Sequence, residues 1–506
     1  MTGFYLGIDA GGTMTKVAAF DTSGAQVAVA LSPNSMILPK PGWTERDAEG
    51  MWFAACEGIQ KVLQHPKISP DSILGIAPTG FGGGAFFVDQ NGKPTRNAVV
   101  STDSRVASLI SEWDTTGSGL AIRQEIKQSN WGGQTLAIVA WLKRYEPETA
   151  DTTHYVMSCK DFLRLRLCND ISTDETDAAC SGFYDLVERK LSNAAFAHAG
   201  VPEWLEKIPP VGSSTEVVGG ITADVAEKTG LIEGTPVVRG VYDVVGCALA
   251  TGVTRTDQMG AVAGTFAIHS TLHTSPCVDP QPTIQTPYPI DKMLIATMAT
   301  PSSASNLEWL KNTMLGELEK KAQDSGRSIY DLANEMVGAN LSTPNSLIFF
   351  PFIYGGPGGM PAGFYGLNPS IGIAEILRAV YEGVVFSHRT DMEHLLGGPQ
   401  SAMPSVVRLA GGAARSDVWA QMFSDGLGLP IEIADGDELG GKGAAICTAV
   451  ALGHQTSTNE AIKNMVTINR HFVPNPKRAS ELSEKFAIYK QAVEICQTIP
   501  LGGIDA

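Results

Sequence analysis

The sequence predicts a two-domain α/β fold, because one pattern of strand, glycine turn and strand occurs twice. The first copy, residues 4–21, is an apolar strand, a Gly-Gly-Thr turn and a second apolar strand. The second copy, residues 259–270, has the same form around Gly264 and Thr265. Strand and helix patterns alternate along the rest of the chain, as expected for an α/β protein.

Length and charge limit the classes of function. The 506 residues suffice for two or three domains, and 43% hydrophobic with 18% charged residues is ordinary for a globular protein. The net charge of −16 argues against a nucleic-acid partner, which needs a basic surface. A nucleotide ligand needs only a local site and remains compatible.

The cysteines and apolar runs predict a compartment. None of the eight cysteines forms a C-x-x-C pair, which argues against a zinc site, and several lie in apolar runs as reduced core residues do. The chain enters a strand without a signal-peptide pattern, and no apolar run is long enough to cross a bilayer. We therefore expect a cytoplasmic protein with no membrane partner.

The first hairpin carries groups suited to a phosphate and a metal. Glycines allow close backbone approach to a ligand, and turn N–H groups with hydroxyls form a concavity for phosphate oxygens. Asp9 at the strand end would hold Mg²⁺, largely through water. The predicted phosphate groups are Gly11, Gly12, Thr13, Thr15 and Lys16. The alternative is an ordinary hairpin, with Lys16 an exposed cation.

The elements of the first half follow in order. A third strand is expected near residues 25–31, and Asp47 would cap a helix whose apolar positions share one face. A buried strand, 72–77, ends in the glycine loop 78–84, and helices are expected at 131–145 and 160–167. The last strand, 234–243, ends at Asp243, and the second hairpin then predicts domains 1–250 and 251–506.

The second half contains a helical insertion and then strand–helix pairs. The insertion spans about 306–337, and a largely buried helix covers 373–385. A strand at 406–412 precedes a helix capped by Ser416 and stopped by Gly428. The chain beyond Pro474 is predicted to be a polar surface helix.

One segment imitates a phosphate-binding P-loop. Residues 436–442 fit the spacing G-x-x-x-x-G-K, but Gly443 stands where a P-loop needs Ser or Thr for Mg²⁺. We interpret these glycines as close helix packing against bound adenine or against the sheet.

Together these segments resemble the FGGY family of carbohydrate kinases, and the paired hairpins resemble the ATPase fold of sugar kinases, actin and Hsp70 chaperones. The most specific likeness is 411–419, with 42–47 and 160–167 also similar. Within the family, 301–309, 351–355 and 381–388 are similar to pentulose kinases of the L-xylulokinase and xylulokinase type. Two segments depart from the family pattern: Ile138 replaces the usual Lys, and the loop 79–84 is richer in glycine.

The resemblance implies two actin-like (ribonuclease H-like) ATPase domains around a central cleft, binding ATP, Mg²⁺ and a small sugar. It implies that Asp243 is the general base and a metal-side carboxylate with Asp9; the alternative role of Asp243 is a helix cap. The implied adenosine and phosphate residues of the second half are Gly264, Thr265, Gly411, Gly412, Ala413 and Ser416.

The implied sugar contacts are Asp103, Arg105 and Thr79, beside Asp243, and the alternative for Asp103 and Arg105 is a surface turn. Trp131 and Phe266 would line the sugar pocket or fill core. The expected reaction is phosphorylation of a pentulose such as L-xylulose or D-xylulose at its terminal hydroxyl. Alternatives are a polyol kinase of the erythritol or glycerol type, a chaperone-like or regulatory ATPase, and a sugar sensor without catalysis. A homodimer is expected by analogy with such kinases only.

Overall fold

The computed structural model describes residues 3–397 and 402–498. The chain divides into two compact units. The first comprises the described residues of Met1–Thr254, Leu272–Ala296 and Asp435–Thr467, and the second those of Arg255–Thr271, Thr297–Ala434 and Ile468–Ala506. How sugar and nucleotide binding divide between residues 1–250 and 251–506 stays a prediction.

The first half holds short strands and helices in alternation. Its strands are β1 (Phe4–Ala10), β2 (Met14–Asp21), β3 (Gln26–Pro33), β4 (Glu45–Arg46), β5 (Ile73–Gly80), β6 (Phe86–Val88), β7 (Ala98–Val99), β8 (Tyr155–Met157), β9 (Thr173–Asp174), β10 (Tyr184–Asp185), β11 (Lys190–Leu191), β12 (Val211–Gly212), β13 (Val217–Gly220), β14 (Pro236–Val238) and β15 (Val241–Tyr242). Its α-helices are α1 (Ala48–Leu63), α2 (Ala107–Thr116), α3 (Ser118–Ile126), α4 (Thr135–Tyr145), α5 (Pro147–Thr152), α6 (Cys159–Cys168), α7 (Glu175–Cys180), α8 (Asn193–His198), α9 (Ala223–Thr229) and α10 (Asp243–Ala250).

The second half has longer helices. Its strands are β16 (Gln258–Ala263), β17 (Ala267–His273), β18 (Ile284–Pro287), β19 (Leu294–Thr300), β20 (Ile348–Phe350), β21 (Gly363–Tyr365), β22 (Val406–Ala410), β23 (Ile431–Ala434) and β24 (Ile468–Phe472). Its α-helices are α11 (Ser305–Met314), α12 (Gly316–Asp324), α13 (Ile329–Asn340), α14 (Ile373–Leu395), α15 (Asp417–Leu427), α16 (Leu439–Ala451), α17 (Thr458–Met465) and α18 (Pro476–Gln497).

The main sheet of the first unit brings three strand ends to one edge. Its order is β13-β14-β5-β1-β2-β3, with β15 also paired to β5. β1 and β2 form the predicted antiparallel hairpin, with Asp9 opposite Lys16. β5 runs parallel to β1 and to β15, so Asp9 lies opposite Thr79, and Tyr242 lies opposite Gly80. Asp243 begins α10 directly after β15.

Helix α16 packs unusually close to β1 and α10. A methyl group at Gly7 would run into the backbone of Gly441, and one at Gly443 would meet the carbonyl of Gly246. Lys442 lies inside the helix with its Nζ 2.8 Å from Asp435 Oδ1. The structure therefore shows the close packing against the sheet that we expected of these glycines, with Lys442 paired to Asp435.

The main sheet of the second unit repeats the plan of the first. The strands that this unit contributes follow the order β19-β17-β16-β22-β23-β24. β16 and β17 form the predicted second hairpin, turning at residues 264–266. β16 runs parallel to β22, as β1 does to β5.

The prediction of a surface helix at the end of the chain is wrong in part. Leu482, Phe486 and Tyr489 of α18 are buried in an aromatic cluster with Phe350 and Phe386. Charged residues between these positions hid the apolar stripe in the sequence. No helix within the described ranges is long and apolar enough to cross a bilayer.

The packing of α16 predicts a steric effect of Gly443→Ala. The added methyl group meets the Gly246 backbone, so helices α16 and α10 must separate. We expect a loss of about 1–3 kcal/mol in the free energy of unfolding, measured with denaturant. Gly316→Ala is the matched control, because a methyl group there meets nothing within 4 Å and should change stability by less than about 0.5 kcal/mol. Equal stability of both variants would contradict the close packing.

Two buried histidines of the second unit predict acid sensitivity. His269 and His388 have ring centroids 4.8 Å apart, and both are wholly buried. Only His388 has a described partner for its ring nitrogens, Ser303 Oγ at 2.9 Å from Nε2. Burial lowers the pKa of His269 to about 4, and burial followed by the neighbouring His269 lowers the pKa of His388.

Below pH 6.5 these histidines are protonated in the unfolded chain but stay neutral in the folded protein. The free energy of unfolding therefore falls as the pH drops towards 4. We expect His269 alone to cost roughly 2–3 kcal/mol at pH 4. His269→Phe should flatten the pH dependence of unfolding, while exposed His198→Gln should leave it unchanged. An equally steep curve in both variants would exclude this origin.

Candidate active site

The edge of the first sheet holds two carboxylates that are poorly compensated. Asp9 and Asp243 are both half-buried. Burial raises the pKa of Asp9 to about 6, an effect that Lys16 opposes and Glu438 reinforces. Burial also raises the pKa of Asp243 well above its ordinary value, and the Asp9 charge raises it further. The two carboxylates are therefore close enough to interact, and nearby cations compensate their negative charge only in part.

The cation of the hairpin is shared with a second acidic residue. Lys16 Nζ lies 2.9 Å from Glu438 Oε2, and one third of the Lys16 side chain is exposed (33%). Burial alone would lower the pKa of Lys16, but the hydrogen bond to Glu438 and the charge of Asp9 leave it raised. Lys16 is thus a paired, permanently charged group beside Asp9, and not an isolated surface cation.

Hydrogen bonds within the turn and from Asn34 fix the shape of the first hairpin turn. Gly11 N donates to Met14 O at 2.9 Å, and the Asn34 amide donates to Gly11 O at 3.0 Å. Thr15 is buried and donates to Asn34 Oδ1 at 2.8 Å. Open space surrounds Gly12, and Thr13 is exposed. The structure thus leaves Gly12 and Thr13 free for a ligand and uses Thr15 to shape the turn.

A cavity of about 590 Å³ lies within the second unit and is lined by four of the predicted nucleotide residues, Gly264, Thr265, Gly412 and Ser416. Gly411 has φ +88°, and a methyl group there would meet the Ala263 backbone. Ala413 is buried and does not line the cavity. This volume suits a small-molecule ligand.

Asn334 also lines the cavity and was missed by sequence reasoning, whereas Tyr381 and Trp419, which line it too, lie in segments that carry the family likeness. Tyr381 and Trp419 stack with centroids 4.1 Å apart, and Trp419 Nε1 donates to Tyr381 O at 3.2 Å. Asn334 lies on α13 in the helical insertion. Its spacing carries no motif, so no signal in one sequence marks it.

Asp103 and Arg105 are bound to each other. Arg105 Nε donates to Asp103 Oδ1 at 2.8 Å, and Thr44 N donates to Asp103 Oδ2 at 2.5 Å. Arg105 also lies over the Trp43 ring at 4.1 Å. Both residues are buried, which excludes the surface-turn alternative, and their contact with sugar stays a prediction. Arg105 Nη1 is buried without a partner among the described residues.

Other buried polar groups gather around the glycine loop. A methyl group at Gly83 would lie 2.5 Å from the Trp131 ring, so the loop runs against that side chain. Trp131 Nε1, Thr79 Oγ1 and both amide atoms of Gln134 have no described hydrogen-bond partner. Unpaired buried polar groups are costly, so a hydroxylated ligand or water is expected beside them. Phe266, at 41% exposure, does not fill core.

A buried charge network lies behind this loop. Lys160 Nζ contacts Asp161 at 2.6 Å, Asp174 at 2.8 Å and Asp177 at 3.0 Å. Arg164 adds a second cation at 2.7 Å from Asp161. Burial alone would lower the pKa of Lys160, but these carboxylates leave it raised. Burial raises the pKa of Asp177 to about 7 despite Lys160.

The network reaches the segment that carries Asp243. Asp174 Oδ2 accepts the Thr176 hydroxyl at 2.6 Å, and Thr176 Oγ1 accepts the Tyr242 N–H at 3.1 Å. Lys160 therefore supports the backbone immediately before Asp243.

Solved structures share this fold. A xylulose kinase from Lactobacillus acidophilus superposes with a TM-score of 0.86 at 21% identity, covering 98% of this chain and 99% of that one. Two sheets that each carry a hairpin, together with this likeness, place the chain in the actin-like ATPase fold.

Family models and curated relatives narrow the class. The models of the FGGY family of carbohydrate kinases match residues 4–250 with the N-terminal domain and 259–452 with the C-terminal domain. An L-xylulose/3-keto-L-gulonate kinase from Escherichia coli is 32% identical over 98% of this chain and 98% of its own. An erythritol kinase from Brucella abortus is 26% identical over 96% and 95%. The chain belongs to the FGGY family of carbohydrate kinases, and it is an ATP-dependent sugar kinase.

The charge network predicts a large effect of Lys160→Met. Removing one cation leaves Asp161, Asp174 and Asp177 buried with only part of their compensation. We expect about 3–5 kcal/mol less stability by denaturant unfolding. Lys190→Met is the control, because Lys190 is 66% exposed and should lose less than about 1 kcal/mol. A small effect in both variants would mean that Arg164 compensates the cluster alone.

Proposed function

We propose that the enzyme transfers the γ-phosphoryl group of ATP to the terminal hydroxyl of a pentulose, with Asp243 as general base. The observation that carries the proposal is the pair Asp9 and Asp243 at one sheet edge, both half-buried and both with raised pKa. Phosphoryl transfer needs positioned groups and charge neutralisation more than covalent chemistry by the protein.

Asp243 suits the role of base for two reasons. Burial and the charge of Asp9 raise its proton affinity, so it accepts a proton more readily than an ordinary Asp. It is the first residue of α10, where its pKa is held down in part by the Val244 N–H. The N-cap of α10 is Tyr242, without a side-chain capping bond, so the structure does not place Asp243 at the capping position.

Asp9 and Asp243 also fit a divalent cation. Mg²⁺ prefers one or two carboxylates together with water and substrate phosphates, and these two carboxylates lack compensating charge. No cluster of three or more acidic, His or Cys ligands occurs in the described ranges, so phosphate oxygens and water would complete the shell. When bound, the ion would neutralise charge between these carboxylates and the phosphates. Asp9 and Asp243 would hold it, and Lys16 would add a fixed positive charge.

The nucleotide would occupy the cavity of the second unit. Gly411 and Gly412 would let the backbone approach the adenosine. Ala413 and Ser416 would shape the same turn. Gly264 and Thr265 of the second hairpin would meet the β- and γ-phosphates. In the first unit, Gly11, Gly12 and Thr13 remain proposed phosphate-binding residues. Backbone N–H groups in such turns suit phosphate oxygens.

The sugar proposal rests on relatives and on the polar groups near the glycine loop. L-Xylulose comes first and D-xylulose second, because an L-xylulose/3-keto-L-gulonate kinase matches nearly the full chain at 32% identity. Asp103, Arg105 and Thr79 remain the proposed sugar contacts, and the unpaired Gln134 amide joins them. Erythritol and glycerol remain alternative substrates. A homodimer and a cytoplasmic location stay predictions.

The deciding variant is Asp243→Asn, which keeps the shape of the side chain and removes the base. We expect kcat for sugar-dependent ADP release to fall by about 10²–10⁴-fold. ADP affinity should hold within about twofold, since the proposed adenosine site is elsewhere. Asp224→Asn, an exposed change in α9, should retain full activity.

The assay should cover L-xylulose, D-xylulose, 3-keto-L-gulonate, erythritol and glycerol. Undiminished turnover in Asp243→Asn would remove Asp243 as base. Turnover with a polyol but no pentulose would overturn the substrate proposal and leave the kinase reaction intact. Sugar-independent ATP hydrolysis alone would favour the regulatory alternative.

A further inference from the structure

We propose that Asn334 contacts the nucleotide base and donates a hydrogen bond from Nδ2 to a ring nitrogen of adenine. This inference rests on the proposed adenosine site in the 590 Å³ cavity. It adds a base-binding residue from the helical insertion, outside the short motifs named in the sequence analysis.

The amide of Asn334 is held in one orientation. Its Oδ1 accepts the Tyr381 hydroxyl at 2.9 Å and the Ser416 hydroxyl at 2.7 Å. Ser416 Oγ itself accepts the Trp419 N–H at 3.1 Å as the N-cap of α15, so its proton is free to point at Asn334. The structure thus directs Oδ1 of Asn334 at both hydroxyl groups.

This orientation leaves Nδ2 as an unused donor. Asn334 lines the cavity and is half-buried, and no hydrogen bond joins its Nδ2 to a residue within 3–397 or 402–498. An amide nitrogen carries two N–H groups, and leaving them unpaired in a dry site is costly. A ligand that fills the cavity must bring an acceptor to this position.

The surroundings favour a base over a phosphate as that ligand. Tyr381, the partner of the Asn334 amide, stacks on Trp419 with centroids 4.1 Å apart, so the amide stands at an aromatic wall. These rings are almost wholly buried and offer the cavity an apolar edge.

Arg415 also lines the cavity, but so do the carboxylates Glu308 and Asp331, which suit a neutral base better than a phosphate. The hairpin turn at Gly264 and Thr265 supplies the backbone for phosphate on the same cavity.

The orientation also decides which base atom is contacted. Asn commonly pairs with adenine through both its oxygen and its nitrogen. Here both lone-pair directions of Oδ1 are occupied by hydroxyl groups, so Asn334 has only a donor to offer. The matching group on adenine is a ring nitrogen, and the exocyclic amine is excluded as the partner of Asn334.

The test measures ADP binding by calorimetry to the full chain, with 1-deaza-, 3-deaza- and 7-deaza-ADP as probes. Asn334→Asp is the main variant, because a carboxylate still accepts from Tyr381 and Ser416 but has no N–H. Asn334→Ala is the second variant. Asn459→Asp, an exposed change in α17, controls for the added charge. Thermal unfolding confirms that each variant is folded.

We expect one deaza analogue to bind the unmodified protein about 3–10-fold more weakly than ADP, the value of one hydrogen bond. Asn334→Asp and Asn334→Ala should bind ADP more weakly than the unmodified protein by at least that factor. Each variant should bind ADP and that analogue with equal affinity. Asn459→Asp should behave as the unmodified protein. Such coupling supports a contact between Asn334 and that ring nitrogen.

Two outcomes would overturn the inference separately from the proposed function. In the first, ADP binds, and the loss of affinity of each analogue relative to ADP is the same in the unmodified protein and in both Asn334 variants. Asn334 then does not contact a ring nitrogen, although the nucleotide site stands. If the unmodified protein binds neither ADP nor ATP, the proposed nucleotide function and the inference both fail.

Discussion

Backbone contact between α16, β1 and α10 is the constraint on which the carboxylate edge depends. Glycines on all three elements allow it, and a methyl group at Gly440 would lie 2.6 Å from Asp9 Oδ2. The same contact buries Asp9 and brings Glu438 to Lys16. Desolvation is in turn the main reason that the pKa of Asp9 and of Asp243 rises. The chemistry of the edge is therefore a consequence of how closely the backbones meet.

The buried carboxylates of the first unit differ in how many cations surround them. Lys160 and Arg164 compensate the carboxylates behind the glycine loop, where the network holds backbone in place. Lys16 opposes the raised pKa of Asp9, and the charge of Asp9 raises the pKa of Asp243 further, so both carboxylates remain partly uncompensated. Burial also raises the pKa of Asp177 inside the first network, so a raised pKa alone does not mark the proposed site. Asp9 and Asp243 differ from Asp177 in lying at the ends of sheet strands, where the proposed reaction needs them.

Sequence reasoning predicted the parts whose signals are local. Both hairpins, the Asp47 and Ser416 caps and the glycine packing of α16 follow from spacing within a few residues. The Asn334 amide could not be predicted, because its partners Tyr381 and Ser416 lie 47 and 82 positions away. The pairing of Asp103 with Arg105 was hidden for a different reason: two polar residues beside a turn look the same whether they face solvent or each other. The buried face of α18 was masked by intervening charges.

The late position of α16 in the chain governs when the carboxylate edge can exist. Glu438 N donates to Gln26 Oε1, a contact between residues 412 positions apart. A ribosome must therefore release most of the chain before the backbone that covers Asp9 is available. Closing so long a loop also places this region among the slow steps of folding. The covered carboxylate edge can therefore form only after the segment that contains Glu438 and α16 has been synthesised.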